Sequence, residues 1–274
     1  MQVLMTGNLR KLKSEVQEFV QYSLPIGEID LPLNNFLGKT IQLKFLQINC
    51  IHCNKVIKKS YHQGYCFPCA QTLARCDFCI LKPETCHYHL GTCREPEWGL
   101  QHCFIPHIVY LANTSGLKVG IARETQIPTR WIDQGAVQAI PLFRVQNRYH
   151  SGLLEVALKR SVQDKTDWRK MLSSEGECVD LIHQRDQLLD ELRDALQIED
   201  PKEKSRLPEV LLATKVKQLQ FPVLQYPNKV KSLNVEKTPE IQGTLLGIKG
   251  QYFIMDIGVL NIRNVGGYQV EFSG

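Results

Sequence analysis

The sequence from Cys50 to Cys103 reads CIHCNKVIKKSYHQGYCFPCAQTLARCDFCILKPETCHYHLGTCREPEWGLQHC and holds nine of the ten cysteines of the 274-residue chain. It opens with two Cys-x2-Cys pairs, Cys50 with Cys53 and Cys66 with Cys69, in the spacing of a four-cysteine zinc ribbon. Each pair directs two thiolates towards one tetrahedral ion, at about 2.3 Å. Because four cysteines leave no open ligand position, the pattern predicts a structural zinc ion and not a catalytic one.

Four further cysteines in the same stretch predict a second structural zinc ion. The predicted ligands are Cys76, Cys79, Cys86 and Cys93. Residues that lie close enough in sequence to replace one of them are His87, His89, Cys103 and His107. An iron-sulfur cluster is an alternative occupant of such thiol groups, and a set of buried free cysteines without metal is the other alternative.

Composition limits the class of protein. Hydrophobic residues make up 43% of the chain and charged residues 22%, as in ordinary globular proteins, and the net charge of +5 permits a nucleic-acid partner without requiring one. No apolar run approaches the roughly 20 residues that cross a bilayer, and residues 1–21 lack a secretion signal. We therefore expect a cytoplasmic protein with no membrane partner, in which reduced thiols bind metal.

Patterns along the chain predict an α+β fold with five regions, without an apparent internal repeat. The regions are an N-terminal β segment (1–49), a cysteine module (50–106), a central α/β domain (107–173), an amphipathic helix with a linker (174–207) and a small C-terminal β domain (208–274). The apolar stripe of the helix, over residues 178–197, is typical of packing against a core.

The central domain begins with two strand-like runs, His107 to Ala112 and Leu117 to Ile121, joined by a turn-forming cluster, which predicts a β-hairpin. Arg130 lies in the first helical pattern that follows, and Glu155 in the second. This order and spacing resemble the core of the GIY-YIG nuclease superfamily over residues 107 to about 172.

The resemblance implies a metal-dependent endonuclease that hydrolyses phosphodiester bonds. Tyr110 and Arg130 would contact the scissile phosphate and the attacking water, and Glu155 would hold Mg²⁺ or Mn²⁺. Lys118 stands where the second signature tyrosine often is, and with Tyr110 it would position or activate the water. The chemistry requires these parts, because the metal needs a carboxylate and the developing phosphorane charge needs a cation.

Two other functions stay open. The sequence departs from the nuclease signature at Ile108, Ala122 and Lys159, which favours a catalytically inactive adaptor that binds nucleic acid or a ribonucleoprotein. The third hypothesis is a zinc-stapled protein-interaction factor that docks through the amphipathic helix and the C-terminal β domain.

Basic residues outnumber acidic ones by seven to three between Arg144 and Lys170. Such an excess beside a nuclease-like core predicts contacts with a phosphate backbone, of either DNA or RNA. The predicted nucleic-acid contacts are Arg144, Arg148, Lys159 and Arg160.

Over nearly its whole length the chain also resembles a bacterial and archaeal family known as domain of unknown function 2797. The phrases that carry the resemblance are GTCREPEWG from Gly91, KVGIAR from Lys118, RWIDQGA from Arg130 and the stretch from Gly247 to Tyr252. This resemblance implies no particular reaction.

Overall fold

A computed structural model describes residues 2–162, 167–196, 209–212 and 215–274, with the side chains of the helix that ends at Leu196 described as far as residue 192. Its strands are β1 (Val3–Asn8), β2 (Lys13–Glu15), β3 (Gln21–Ile26), β4 (Ile29–Pro32), β5 (Thr40–Asn49), β6 (Val56–Ile57), β7 (His107–Asn113), β8 (Leu117–Arg123), β9 (Gln138–Val145), β10 (Glu209–Val210), β11 (Lys217–Gln218), β12 (Glu240–Lys249), β13 (Tyr252–Met255), β14 (Gly258–Asn261) and β15 (Tyr268–Ser273). Its helices are α1 (Phe67–Thr72), α2 (Pro96–His102), α3 (Thr129–Asp133), α4 (Arg148–Leu158), α5 (Trp168–Ser173) and α6 (Leu181–Leu196). The chain thus mixes helices with several sheets, as its sequence predicted.

The central sheet contains the predicted hairpin. Strands β7 and β8 pair antiparallel from His107 opposite Arg123 to Asn113 opposite Leu117, and β9 pairs with the other edge of β7. Two short strands from the beginning of the C-terminal region, β10 and β11, pair with β9. Helix α4 begins at Arg148 because the Asn147 side chain accepts the His150 N–H at 2.9 Å and caps the helix.

Both ends of the chain build a single sheet, in the order β1-β15-β5-β12-β13-β14, with β6 paired to β5. The N-terminal and C-terminal segments, which are far apart in sequence, therefore fold together. We call residues 2–49 with 219–274 the terminal β unit. Strands β2, β3 and β4 form a further small sheet. Leu9, which directly follows β1, forms an isolated bridge with Ile26 of β3 in this sheet.

The terminal β unit contains a structural repeat that is not apparent from its sequence. Leu24 pairs with Leu31 in the β3–β4 hairpin, and Phe253 pairs with Leu260 in the β13–β14 hairpin, in the same register around a two-residue turn. Each hairpin continues through one 3₁₀ turn into a long strand, β5 or β15. The two copies share buried apolar positions and few identities, which is why the repeat escapes a reading of the sequence.

The two copies exchange backbone hydrogen bonds. The N–H of Gly267 donates to the Leu9 carbonyl at 2.9 Å, and the N–H of Gly38 donates to the Leu245 carbonyl at 2.8 Å. Both glycines have positive φ, 84° and 76°, a conformation that costs glycine little. In the same exchange, β1 pairs with β15 and β12 pairs with β5, so that each copy is completed by the strand that begins the other.

The central sheet is covered on both faces. Ile108, Tyr110 and Ala112 on one face of β7 belong to the core of the terminal β unit. Val109 and Leu111 on the opposite face pack against α4 and α6, so the apolar stripe of α6 is used for packing. The predicted linker that follows, from residue 197, lies outside the described residues. Across the described parts of the chain, no helix combines the length and the apolar character that crossing a membrane requires.

Candidate metal centre and basic cleft

The four cysteines of the first predicted site lie together. The Sγ atoms of Cys50, Cys53, Cys66 and Cys69 are all within 4.8 Å of one another. Strand β5 ends beside Cys50, and the following turn closes through the Asn54 N–H, which donates to the Cys50 carbonyl at 2.9 Å. The second pair lies at the beginning of α1.

The environment of this cluster suits thiolates. Burial acts to raise the pKa of Cys50, but backbone N–H groups of Cys53, Cys66 and His52 hydrogen-bond to its sulfur and lower the pKa to about 6. The pKa of Cys69 is raised, first by its hydrogen bond with Cys66 and then by burial, and the negative charge of Cys50 raises it further by repulsion. Four thiols without a carboxylate form a donor set that is consistent with zinc, whose charge would remove this repulsion.

The predicted ligands of the second site are divided by the fold. Cys79, Cys86 and Cys93 line one small cavity, together with Cys103. Cys76 is buried elsewhere, and the pKa of its thiol is raised by burial and influenced by Arg75, Arg94, Cys50 and Glu95.

The histidines considered as substitutes lie in different places. His87 lines the same cavity, and His89 is exposed. His107 is fully buried at the beginning of β7, where its Nδ1 atom lies 2.7 Å from the Ile105 carbonyl. Burial lowers the pKa of His107 to about 4, so the imidazole is neutral at pH 7.

Tyr110 is fully buried, and its hydroxyl donates to the Gln134 side chain at 2.9 Å. Its ring packs edge-on against Trp131 and across Gly120, where an added Cβ atom would lie 2.6 Å from the hydroxyl oxygen. Burial raises the pKa of Tyr110 to about 12, although the positive charge of Arg130 lowers it. A phenol in this environment stays protonated at neutral pH and is unsuited to act as a general base.

Two of the other predicted catalytic residues, Arg130 and Glu155, lie near Tyr110. Arg130 and Glu155 are both close enough to affect its pKa, in opposite directions. Glu155 also forms an ion pair with Lys159, with 3.7 Å between the Lys159 Nζ and a carboxylate oxygen. Lys118 is two residues from Gly120, the residue opposite Tyr110, and therefore lies on the same sheet face as Tyr110.

The four predicted nucleic-acid contacts are in different surroundings. Arg144 pairs with Glu124 at 3.0 Å and with Glu209 at 3.8 Å, which neutralises its charge. Lys159 is paired as above, and Arg160 is exposed after α4. Arg148 donates through Nη2 to the Ile80 carbonyl at 2.5 Å and lines a cleft.

This cleft lies where the cysteine module, the central domain and the terminal β unit meet. One carboxylate, Asp133, is among its lining residues, and it pairs with Lys11 at 2.9 Å. The cations that line it, and that define what we call the basic cleft, are Lys11, Arg75, Arg123, Arg130, Arg148 and Arg263. They come from distant segments without a shared motif, so only Arg130 and Arg148 had been singled out from the sequence.

Positive charge in the basic cleft is crowded. Burial lowers the pKa of Arg148, and the neighbouring Arg130 lowers it further. Arg263 is affected in the same way by burial and by Arg130. Aromatic rings form part of the wall, because Trp98 and His102 stack with 4.3 Å between their ring centroids and an interplanar angle of 10°.

The fold and the four-cysteine cluster define a mixed α/β protein with a candidate zinc centre. The chain belongs to the family described as protein of unknown function DUF2797, whose model matches residues 38–270. Searches of curated proteins and of solved structures returned no match.

Proposed function

We propose that the protein binds nucleic acid by its phosphate backbone in the basic cleft, and that zinc at the Cys50 cluster holds the wall formed by the cysteine module. The observation that carries the proposal is the convergence of six cations and one carboxylate from the cysteine module, the central domain and the terminal β unit. Phosphate contacts of this kind supply most of the affinity of sequence-independent nucleic-acid binding.

The electrostatics of the cleft favour an anionic ligand. Burial is the main cause of the lowered pKa values of Arg148 and Arg263, and the nearby positive charge of Arg130 lowers both further. A polyanion would offset this repulsion. The stacked Trp98 and His102 rings supply an aromatic surface of the type on which unpaired bases stack, in a sequence-tolerant manner.

Metal-dependent phosphodiester hydrolysis is the second candidate function. The position of Arg130 favours this function. Arg130 lines the cleft, and both Arg130 and Glu155 are near enough to Tyr110 to change the pKa of its hydroxyl. Arg130 would bind the phosphate, Glu155 would hold Mg²⁺ or Mn²⁺, and Lys118 would act on the water. The buried Tyr110 could only position groups by hydrogen bonding, so the geometry supports binding better than cutting.

Binding is tested by fluorescence anisotropy with labelled single- and double-stranded DNA and RNA over a range of salt concentrations. We expect the double variant Arg130→Ala/Arg263→Ala to weaken binding at least about tenfold and to reduce the slope of log K against log salt by about 2. Arg144→Ala, which removes a cation already paired with Glu124, is the matched control and should bind as the wild type does. Absence of binding at low salt, or equal losses in both variants, would refute the proposal.

Cutting is tested on the same oligonucleotides with Mg²⁺ or Mn²⁺. Glu155→Gln and Lys159→Gln break the same ion pair, but only Glu155→Gln removes the carboxylate. Cleavage that is lost in Glu155→Gln and kept in Lys159→Gln would establish the second candidate. Nucleic acid that is bound but stays intact with the wild type and with both variants would establish binding without hydrolysis.

A further inference from the structure

We infer that Cys79, Cys86, Cys93 and Cys103 form a second metal site, which takes a thiophilic tetrahedral ion such as Zn²⁺. The set differs from the one predicted by sequence spacing, because Cys103 replaces Cys76. The site does not depend on the proposed binding of nucleic acid.

Short turns and helix α2 bring these cysteines to one cavity. Cys79 lies in the 3₁₀ turn Phe78–Ile80, and Cys86 directly follows the turn Pro83–Thr85. Cys103 ends α2, where its N–H donates to the Gly99 carbonyl at 2.7 Å.

The thiols are also close to one another. The charge of Cys79 interacts with those of Cys86 and Cys103, and that of Cys103 interacts with those of Cys86 and Cys93. Helix α2 passes beside Cys93, since a Cβ atom added at Gly99 would lie 3.5 Å from the Cys93 sulfur. The four thiols are therefore neighbours around one cavity, and binding of one ion there would draw their sulfur atoms together.

Apolar burial is insufficient to hold this part of the chain. Several of its large apolar side chains face solvent, with exposed fractions of 56% for Phe78, 73% for Leu81 and 66% for Leu90. Turns of three residues supply few backbone hydrogen bonds of their own. Small units with so little core usually depend on disulfides or a structural metal ion, and four thiols around one cavity supply the ligands for the latter.

Neighbouring groups that could compete as ligands are already engaged. The closest set of potential ligand atoms at this cavity is that of Asp77, Cys79 and His87, which all lie within 4.8 Å of one another. However, Asp77 pairs with Arg94 at 2.7 Å and accepts the Cys79 N–H at 3.2 Å. The His87 Nδ1 atom lies 2.7 Å from the Thr92 hydroxyl. The His87 Nε2 atom lies 3.5 Å from the Asp77 carboxylate, which Arg94 holds. Because zinc favours thiolates, we infer that the ion takes the four cysteines, and His87→Gln tests the alternative.

The surroundings of Cys103 suit a tetrathiolate site and connect it with the basic cleft. A divalent ion with four thiolates carries a net charge of −2, and the positive charges of Arg148 and Arg123 act on Cys103. The Cys103 carbonyl accepts the Arg148 N–H at 2.7 Å. Cys103 lines both cavities, so an ion here would fix the position of Arg148, as outer-shell partners of metal sites commonly are fixed.

The first experiment is zinc stoichiometry of the full chain, by native mass spectrometry together with elemental analysis after expression with added zinc. We expect two ions in the wild type, one in Cys103→Ser, and two in both Cys76→Ser and His87→Gln. One ion in the wild type, two in Cys103→Ser, or the loss of an ion in Cys76→Ser or His87→Gln would overturn the ligand set.

A second measurement uses the wild type alone and decides the matter if Cys103→Ser is insoluble. Cysteine alkylation is mapped by mass spectrometry before and after zinc chelation, with the exposed Cys178 as an internal reactive control. We expect the four proposed ligands to be protected in the zinc-loaded chain and to react after chelation, whereas Cys178 reacts in both. Alkylation of the four at the rate of Cys178 in the loaded chain would refute the site.

Discussion

The terminal β unit and the cysteine module show two different ways of holding a chain in place. In the terminal β unit, ten-residue strands β5 and β12 pair with each other, and side chains such as Phe253 and Phe272 are completely buried. In the module, short turns leave Phe78 and Leu81 in solvent, and cysteines are grouped close to one another. Burial therefore stabilises the first region, whereas the second has groups of cysteines through which a bound metal ion would stabilise it.

The two regions are nevertheless connected through the central domain. Its sheet packs one face on the terminal β unit, while the turn Pro83–Thr85 of the module packs against α4 on the other side. A metal ion in the module would therefore support the helix that carries Glu155 and Arg148. The stability of each region can be perturbed and measured separately, which tests the contrast between them.

The largest expected effect is from removing metal. Structural zinc contributes about 10–16 kcal/mol to small zinc-folded units, so chelation should unfold the module while burial keeps the terminal β unit folded. Hydrogen exchange followed by mass spectrometry should show loss of protection over residues 50–103 and in α4, with β5 and β15 unchanged. Zinc, but not Mg²⁺, should restore protection. Uniform loss across the chain would show that the two regions are not independently stabilised.

The converse perturbation is a cavity in the terminal β unit. Phe253→Ala should lower the free energy of unfolding by about 3–5 kcal/mol, because it removes a fully buried aromatic ring. Urea unfolding measures the loss, and elemental analysis should find the zinc content unchanged. Leu4→Ala, at a side chain that is 48% exposed, is the control and should change stability by less than about 0.5 kcal/mol. Loss of zinc in the folded Phe253→Ala protein would contradict the separation.

The same contrast explains what could be predicted from the sequence. The Cys50 cluster and the β7–β8 hairpin depend on patterns within a few residues of one another, and both are present as predicted. Local spacing also identifies helix α3 and the apolar stripe of α6. Patterns of this kind fix local geometry, which is all that such features require.

Features that depend on long-range pairing could not be predicted in this way. The hydrogen bond from Gly267 to Leu9 joins opposite ends of the chain, and nothing near either residue indicates its partner. Likewise, spacing favours Cys76 as a ligand, whereas α2 brings Cys103 to the cavity. Tyr110 reads as a catalytic tyrosine in the hairpin, but the terminal β unit covers its sheet face.

His107 tests the junction between the module and the central sheet. Its pKa is about 4 in the folded chain and about 6.5 when exposed, so folding favours the neutral imidazole. The contribution of the neutral His107 imidazole to the free energy of unfolding is fully present above pH 6.5 and is lost as the pH falls towards 4. At pH 5 the loss is about 2 kcal/mol. His107→Gln should therefore lose less stability than the wild type between pH 7.5 and pH 5.

Thermal and urea unfolding of both proteins at the two pH values measures this difference. Zinc content is determined at each pH, because protonation of cysteines also releases metal, and the comparison between variants removes that shared contribution. Parallel pH profiles for the two proteins would show that the His107 imidazole is not kept neutral by folding.

The smallest effect tests the contact between the module and α4 through two helical glycines. Alanine is more favourable than glycine in a helix interior by about 1 kcal/mol. A Cβ atom at Gly99 in α2 would lie 3.4 Å from the Tyr88 ring, an ordinary contact, so Gly99→Ala should be neutral or slightly stabilising. At Gly152 in α4 it would lie 2.6 Å from the Glu84 backbone nitrogen and 2.7 Å from the Pro83 side chain.

Gly152→Ala should therefore be destabilising, by about 1 kcal/mol after the gain in helix propensity is included. Thermal unfolding of the zinc-loaded proteins gives the sign, which is expected to be opposite for the two glycines. Chelation should abolish the difference at Gly152, because the Pro83–Thr85 turn then no longer presses on α4. If Gly152→Ala unfolds at a higher temperature than the wild type, the Pro83–Thr85 turn moves away from α4 to make room for the added methyl group. Metal would then not hold the module rigidly in place.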